Sequence, residues 1–151
     1  MQFLMMMIPK AYQADARSGE SVEEGYAPPA EAVVKMMKFN EEMEKAGVLI
    51  ALDGLYPSSR GARVMFVDGK SEAIDGPFTQ AKEIVGGYWI IQTRSKEEAV
   101  EWAKRCPASD GDIIEIREVF EGSDLSPAIQ KTVDILCCAC RLKRERARDA
   151  H

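Results

Sequence analysis

The chain has 151 residues, 46% of them hydrophobic and 30% charged, with a net charge of −5 and a pI near 5.0. That length and balance describe a soluble globular protein large enough for a hydrophobic core. The acidic surplus argues against nucleic acid as a partner, because phosphate binding requires a basic face.

The N-terminal "MQFLMMMIPK" carries an apolar run over residues 2–8. No basic residue precedes it and no small-residue cleavage site is visible, so it does not read as a signal peptide. A membrane helix needs about 20 apolar residues. The run therefore predicts a buried first strand, covered on both faces, in a cytoplasmic protein that does not engage membranes. Residues 10–27, "KAYQADARSGESVEEGYA", are polar and aperiodic. A connection of that length suggests a flap or binding loop.

Pro28 and Pro29 open a helix, since proline suits a first turn where its missing N–H costs nothing. Glu31 and Lys45 complement the two ends of its dipole. Val33, Met36, Met37, Met43 and Ala46 recur at helical spacing, with Asn40 breaking the stripe and Gly47 as the stop. A methionine stripe can serve a partner, but core packing is the plainer reading.

Residues 48–52, "VLIAL", are a second strand, with Asp53-Gly54 turning the chain and residues 56–61 as a loop. "RVMFV", residues 63–67, leads into Asp68-Gly69, a strong hairpin signal, and the return arm ends at Asp75. "YWIIQT", residues 88–93, is another strand, and the preceding Gly86-Gly87 suggests a bulge or bend. Ser95-Lys96-Glu97-Glu98 reads as a capping box with Glu98 reaching back to Ser95. Its helix runs to about Cys106 before Pro107, with Ala99, Val100, Trp102, Ala103 and Cys106 facing inward. "DIIEIREVF", residues 112–120, is the last strand.

Two β-α-β halves thus flank an inserted hairpin, which predicts an α+β, ferredoxin-like split βαβ over residues 1–120 with both helices on one sheet face. The other face carries Trp89 or Tyr88, depending on register. Exposed apolar sheet needs cover, and a second copy of the chain is the simplest, giving a homodimer.

Residues 121–151 form a separate tail, helical or partly disordered, with Ile129, Val133, Leu136 and Cys140 on one helical face ahead of the basic "RLKRERAR". Three of the four cysteines, Cys137, Cys138 and Cys140, fall there; the fourth is Cys106. The C-C-x-C spacing matches no common zinc pattern, so the cysteines read as free thiols in a reducing compartment, with no metal site. The single histidine is His151.

Asp75-Gly76-Pro77-Phe78 admits two compatible readings. As a turn former, Asp75 would accept a backbone N–H two residues on. As a functional acid, it would sit partly desolvated at a strand end, with a raised pKa suited to proton transfer. By residue type, Tyr12, Tyr26, Tyr56, Tyr88, Lys82, Glu83 and Asp53 could assist. Arg60, Arg63 and Arg94 could grip a carboxylate or phenolate. There is no Walker loop, dinucleotide fingerprint or nucleophile elbow, so no cofactor is expected.

That motif, with Lys82-Glu83 and Gly86-Gly87-Tyr88 after it, resembles the DGPF branch of the YCII-related family. The helix "EEAVEWAKRCP" from Glu97 to Pro107, "AGVL" from Ala46 to Leu49, and Gly54-Leu55 fit the same pattern. The resemblance spans residues 1–120 and implies a dimeric α/β barrel with a cleft near the central sheet. It implies no single activity. One relative is a dehydrochlorinase of a chlorinated hydroxyquinone, relatives proposed as enzymes pair a histidine with an aspartate, and some members sit beside extracytoplasmic-function sigma factors.

Together these readings predict a homodimer that binds a small molecule beside the Asp75 turn. Asp75 is the candidate acid–base residue, and Tyr12, Tyr56, Arg63, Phe78, Lys82 and Tyr88 are the candidate ligand contacts. Two functions fit: a cofactor-independent lyase or isomerase acting on a small cyclic or phenolic compound, and a non-catalytic sensor or accessory module. Having no histidine near the motif favours the second.

Overall fold

The computed structural model describes residues 1–12, 28–78 and 83–120. Its elements are β1 (Gln2–Ile8), α1 (Ala30–Lys45), β2 (Leu49–Gly54), β3 (Ala62–Val67), β4 (Lys70–Asp75), β5 (Gly87–Gln92), α2 (Lys96–Lys104) and β6 (Ile113–Glu118), with single 3-10 turns at Lys10–Tyr12 and Ser58–Arg60. Met1–Glu118 makes one compact unit. The flap expected within residues 10–27 lies largely outside the described residues, and the tail from 121 onward lies wholly outside them.

Four strands form one sheet in the order β2-β5-β1-β6, every neighbour antiparallel. This is the ferredoxin-like split βαβ: β5 of the second half lies between β1 and β2 of the first. Strand alternation then sorts the side chains. Phe3, Met5 and Met7 of β1 are buried, Met5 opposite Trp89 on one side and Ile116 on the other. Phe39 and Met43 of α1 and Ala99 of α2 complete the core. Register settles the choice between the two aromatics of β5. Trp89 faces the helices, 5% exposed, while Tyr88 takes the opposite face with Leu4, Met6 and Ile90, all half-buried.

The stop of α1 is as its sequence predicts, and in full. Gly47 adopts φ +69, its N–H donates to the Glu44 carbonyl at 2.9 Å, and the Val48 N–H reaches back to Met43 at 3.1 Å. That double bond pattern is a Schellman motif, in which buried Val48 supplies the apolar contact. The expected stripe is rotated, however. Phe39 and Met43 are the buried residues of α1, whereas Val33 is 39% and Met37 64% exposed. Asn40 does not interrupt the inward face, because its Oδ1 accepts the Trp89 indole N–H at 2.8 Å.

α2 begins at Ser95, whose Oγ accepts the Glu98 N–H at 3.3 Å. The return half of the capping box lands one residue earlier than predicted: Glu98 accepts from the N–H of Arg94 at 2.8 Å and from its guanidinium at 3.1 Å. The helix ends at Lys104, two residues short of Cys106.

Among the described residues, β3 and β4 pair only with each other. Their turn is Asp68-Gly69, both at positive φ (50° and 74°), the backbone of a type I′ hairpin. Every residue of both strands is exposed, Phe66 at 81%.

Candidate functional site

Where β1 ends and β5 begins, the backbone closes on itself. The Gly86 N–H donates to the Met7 carbonyl, and the Leu55 N–H donates to the Gly86 carbonyl, each at 2.8 Å. A Cβ on Gly86 would stand 2.5 Å from Pro9 Cγ, and one on Gly87 would stand 3.1 Å from the Asp53 carbonyl. Of the bulge or bend suggested by sequence, the glycine pair makes no bulge and serves close approach. The register shift lies instead in β2, between Leu49 and Ala51. Asp53-Gly54, expected as a turn, continues β2, with Asp53 opposite Tyr88 and Gly54 opposite Gly87.

Between this closed end and α1 lies a cleft of about 760 Å³. Met36 and Met37 line it from α1 and Trp89 from the helix-facing side of β5, and Tyr12, Tyr56 and Tyr88 are also among its lining residues. Among the described residues, its carboxyl groups are Asp53 and Asp112, and no lysine or arginine lines it. Asp112 is occupied as a local clamp, accepting the N–H of Lys10 and of Ser109, both at 2.8 Å. Asp53 is the less committed one. Its Oδ2 accepts the Tyr88 hydroxyl at 3.1 Å. That bond, reinforced by the carboxylate charge and some burial, raises the Tyr88 pKa above its ordinary value and keeps the phenol a donor. Tyr12 donates to the Leu55 carbonyl at 3.3 Å.

The Asp75 turn forms a second cluster at the base of the hairpin. The Gly76–Pro77 peptide is cis. The Gly76 N–H donates to the Gly61 carbonyl at 2.8 Å, and the Phe78 N–H donates to Ser58 Oγ at 3.3 Å. A Cβ on Gly76 would lie 1.7 Å from the Ser58 carbonyl oxygen, so only glycine fits this contact. The Arg63 guanidinium sits 4.1 Å over the Phe78 ring, and Arg60 sits 3.9 Å over Tyr56. The turn is not an Asx-turn. Residue 77 is a proline without an N–H, so the donor such a turn needs is missing.

Of the residues singled out from sequence, Tyr12, Tyr56 and Tyr88 meet in the cleft. Asp75, Arg63 and Phe78 gather at the hairpin base, and none of them lines the cleft. Lys82 and Tyr26 lie outside the described residues. Arg94 is engaged with Glu98 at the surface. Sequence reasoning missed the role of Asn40 and the joint presence of Met36, Met37 and Trp89 in one cleft. The interruption of an apolar helical stripe by an amide was the available signal for Asn40.

Residues 1–123 match the family model of the YCII-related domain. The chain belongs to the YCII-related family. A search of curated proteins found no match.

The described residues of this YCII-related domain contain no histidine, the only one being His151. Among them, no group of three or more His, Cys, Asp or Glu is placed to hold a metal ion. No described helix is long and apolar enough to cross a membrane.

Proposed function

We propose that this YCII-related protein is a cytoplasmic homodimer that binds a small molecule with an aromatic or apolar body in the cleft between α1 and the closed end of the sheet. The observation that carries this reading is the cleft itself: about 760 Å³, walled by methionines and four aromatic residues, with few polar groups. Ligand sites share that make-up of apolar wall and sparse, convergent polar groups. Methionines add a wall that adjusts to the shape of its guest. The dimer is supported by unspent apolar surface. Val64, Met65, Phe66, Val67 and Ile74 of the hairpin are each more than 40% exposed, and Leu4, Met6 and Ile90 form a half-buried apolar row on the sheet.

Non-catalytic sensing or accessory binding is the better supported role, since no histidine stands among the described cleft-lining residues and Asp75 is not one of them. A cofactor-independent lyase or isomerase using Asp75 is the second reading. It is favoured by the packing of the Gly76 turn on Ser58, two residues beyond cleft-lining Tyr56.

A screen of aromatic fragments, followed by the Trp89 indole N–H resonance, tests the site. Binding that shifts this signal, and that Met37→Trp blocks, is the expected result. Fragments that bind without disturbing it, or none that bind, would remove the cleft from consideration. Sedimentation at low micromolar concentration tests the dimer, and a monomer alone would rule it out.

A further inference from the structure

We infer that the ligand of this cleft carries a positively charged nitrogen, an ammonium group on an aromatic or apolar body, held by Asp53 against the tyrosines. The inference rests on the reading of the cleft as a binding site and adds the charge of its guest.

Charge comes first. Among the described residues, the ionisable groups lining the cleft, apart from its tyrosines, are Asp53 and Asp112, and Arg60, Arg63 and Arg94, expected to grip an anion, are elsewhere. Arg63 is over Phe78, Arg94 is paired with Glu98, and Arg60 covers Tyr56 without lining the cleft. A concave site with charge of one sign concentrates ligands of the other.

Hydrogen-bonding capacity points the same way. The backbone N–H groups of Leu55 and Gly86, which could cradle an anion, are spent on Gly86 and Met7. Those of Lys10 and Ser109 are spent on Asp112. Neutral donors remain in the Asn40 amide and the Tyr56 and Ser109 hydroxyls, and none of them balances a carboxylate. Acceptors are in surplus. Asp53 uses Oδ2 for Tyr88, and no described group donates to its Oδ1. The Tyr88 oxygen, whose O–H donates to Asp53, keeps its lone pairs for an incoming N–H.

The walls supply the third element. Tyr12, Tyr56, Tyr88 and Trp89 all line the cleft, and aromatic faces attract cations through their quadrupoles. The Arg60 guanidinium, 3.9 Å from the Tyr56 ring centre, shows a cation already accepted by one of them. A carboxylate beside several aromatic rings is a constellation suited to an organic ammonium ion and unsuited to the phenolate or carboxylate expected from sequence.

The test compares three probes of one shape, phenethylammonium, phenylethanol and phenylpropionate, titrated into the full chain at low salt. Binding is read by calorimetry and by the Trp89 indole resonance, with Trp102→Phe used to assign it. The expected result is phenethylammonium binding about tenfold or more tightly than phenylethanol, with phenylpropionate weakest. Asp53→Asn, which keeps an oxygen for the Tyr88 hydroxyl, should abolish that preference. Equal or tighter binding of the alcohol or the acid would overturn the ammonium reading while the cleft remains a binding site. So would an ammonium preference that survives in Asp53→Asn. If none of the three moves the Trp89 signal, the binding reading and this inference fall together.

Discussion

The indole N–H of Trp89 donates to the Asn40 side-chain oxygen at 2.8 Å, joining the centre of β5 to the inward face of α1. Phe39, next in sequence to Asn40, meets the same indole edge-on with ring centres 6.2 Å apart. Trp89 thus has its ring packed and its one donor satisfied by neighbouring residues of a single helix, which sets the back wall of the cleft.

Removing the amide should be more harmful than its small size suggests. Asn40→Leu leaves the N–H of a 5%-exposed indole without a partner, a loss of about 1–3 kcal/mol. Pairing it with Trp89→Phe removes the orphaned donor, so the double variant should lose less than the sum of the single losses. Urea unfolding of the four proteins checks this. Strict additivity would mean that the bond contributes nothing.

At the hairpin base, the glycine matters for stability and the acid does not. Gly76→Ala drives a methyl into the Ser58 carbonyl and should lose about 1–3 kcal/mol by overpacking. Asp75→Ala and Asp75→Asn should both stay within about 0.5 kcal/mol of the parent, as exposed substitutions do, because Pro77 offers no N–H for the carboxylate to hold. Denaturation midpoints separate the two cases. A loss on Asp75→Ala that Asn restores would instead reveal a side-chain bond supporting the turn.

The Tyr88–Asp53 contact has a pH signature. Its folded-state pKa lies above the ordinary value of 10.0, first because of the hydrogen bond to Asp53. The contact is therefore fully in place below pH 10 and is lost as pH rises through the raised value. Tyrosinate absorbance during an alkaline titration should show one late-titrating phenol that disappears in Tyr88→Phe and moves earlier in Asp53→Asn. Identical curves for the parent and Asp53→Asn would exclude the coupling.

Cys106 should be a poor nucleophile. Burial, and then the nearby Asp112 carboxylate, push its thiol pKa up from 9.0 to about 11. Near pH 8 that leaves about a hundredfold less thiolate than an ordinary cysteine holds. Peptide mapping after timed alkylation should find Cys106 modified far more slowly in the folded than in the unfolded chain, and the difference should narrow as pH approaches 11. Equal rates would show that the thiol is not shielded.

Features that depend on residues a few positions apart were legible in the sequence. The Gly47 stop, the Asp68-Gly69 turn and the Ser95 cap each involve one backbone conformation and its immediate neighbours, so residue type alone decides them. The order of strands and helices follows from the same local signals, and with it the split βαβ. The cleft does not. Asn40 and Trp89 are 49 residues apart, and Tyr88 and Asp53 are 35 apart. Which residue of β5 faced the helices depended on register, where a slip of one position would have exchanged Trp89 for Tyr88. Tertiary structure also decided which acid joins the tyrosines. Asp75 stands in the most conspicuous motif, but β4 pairs with β3, and its turn leans on Ser58. Asp53 looked like part of a turn, yet strand pairing carries it through β2 to lie opposite Tyr88. Pairing partners are chosen by the burial of whole faces, a collective property that no short segment carries by itself.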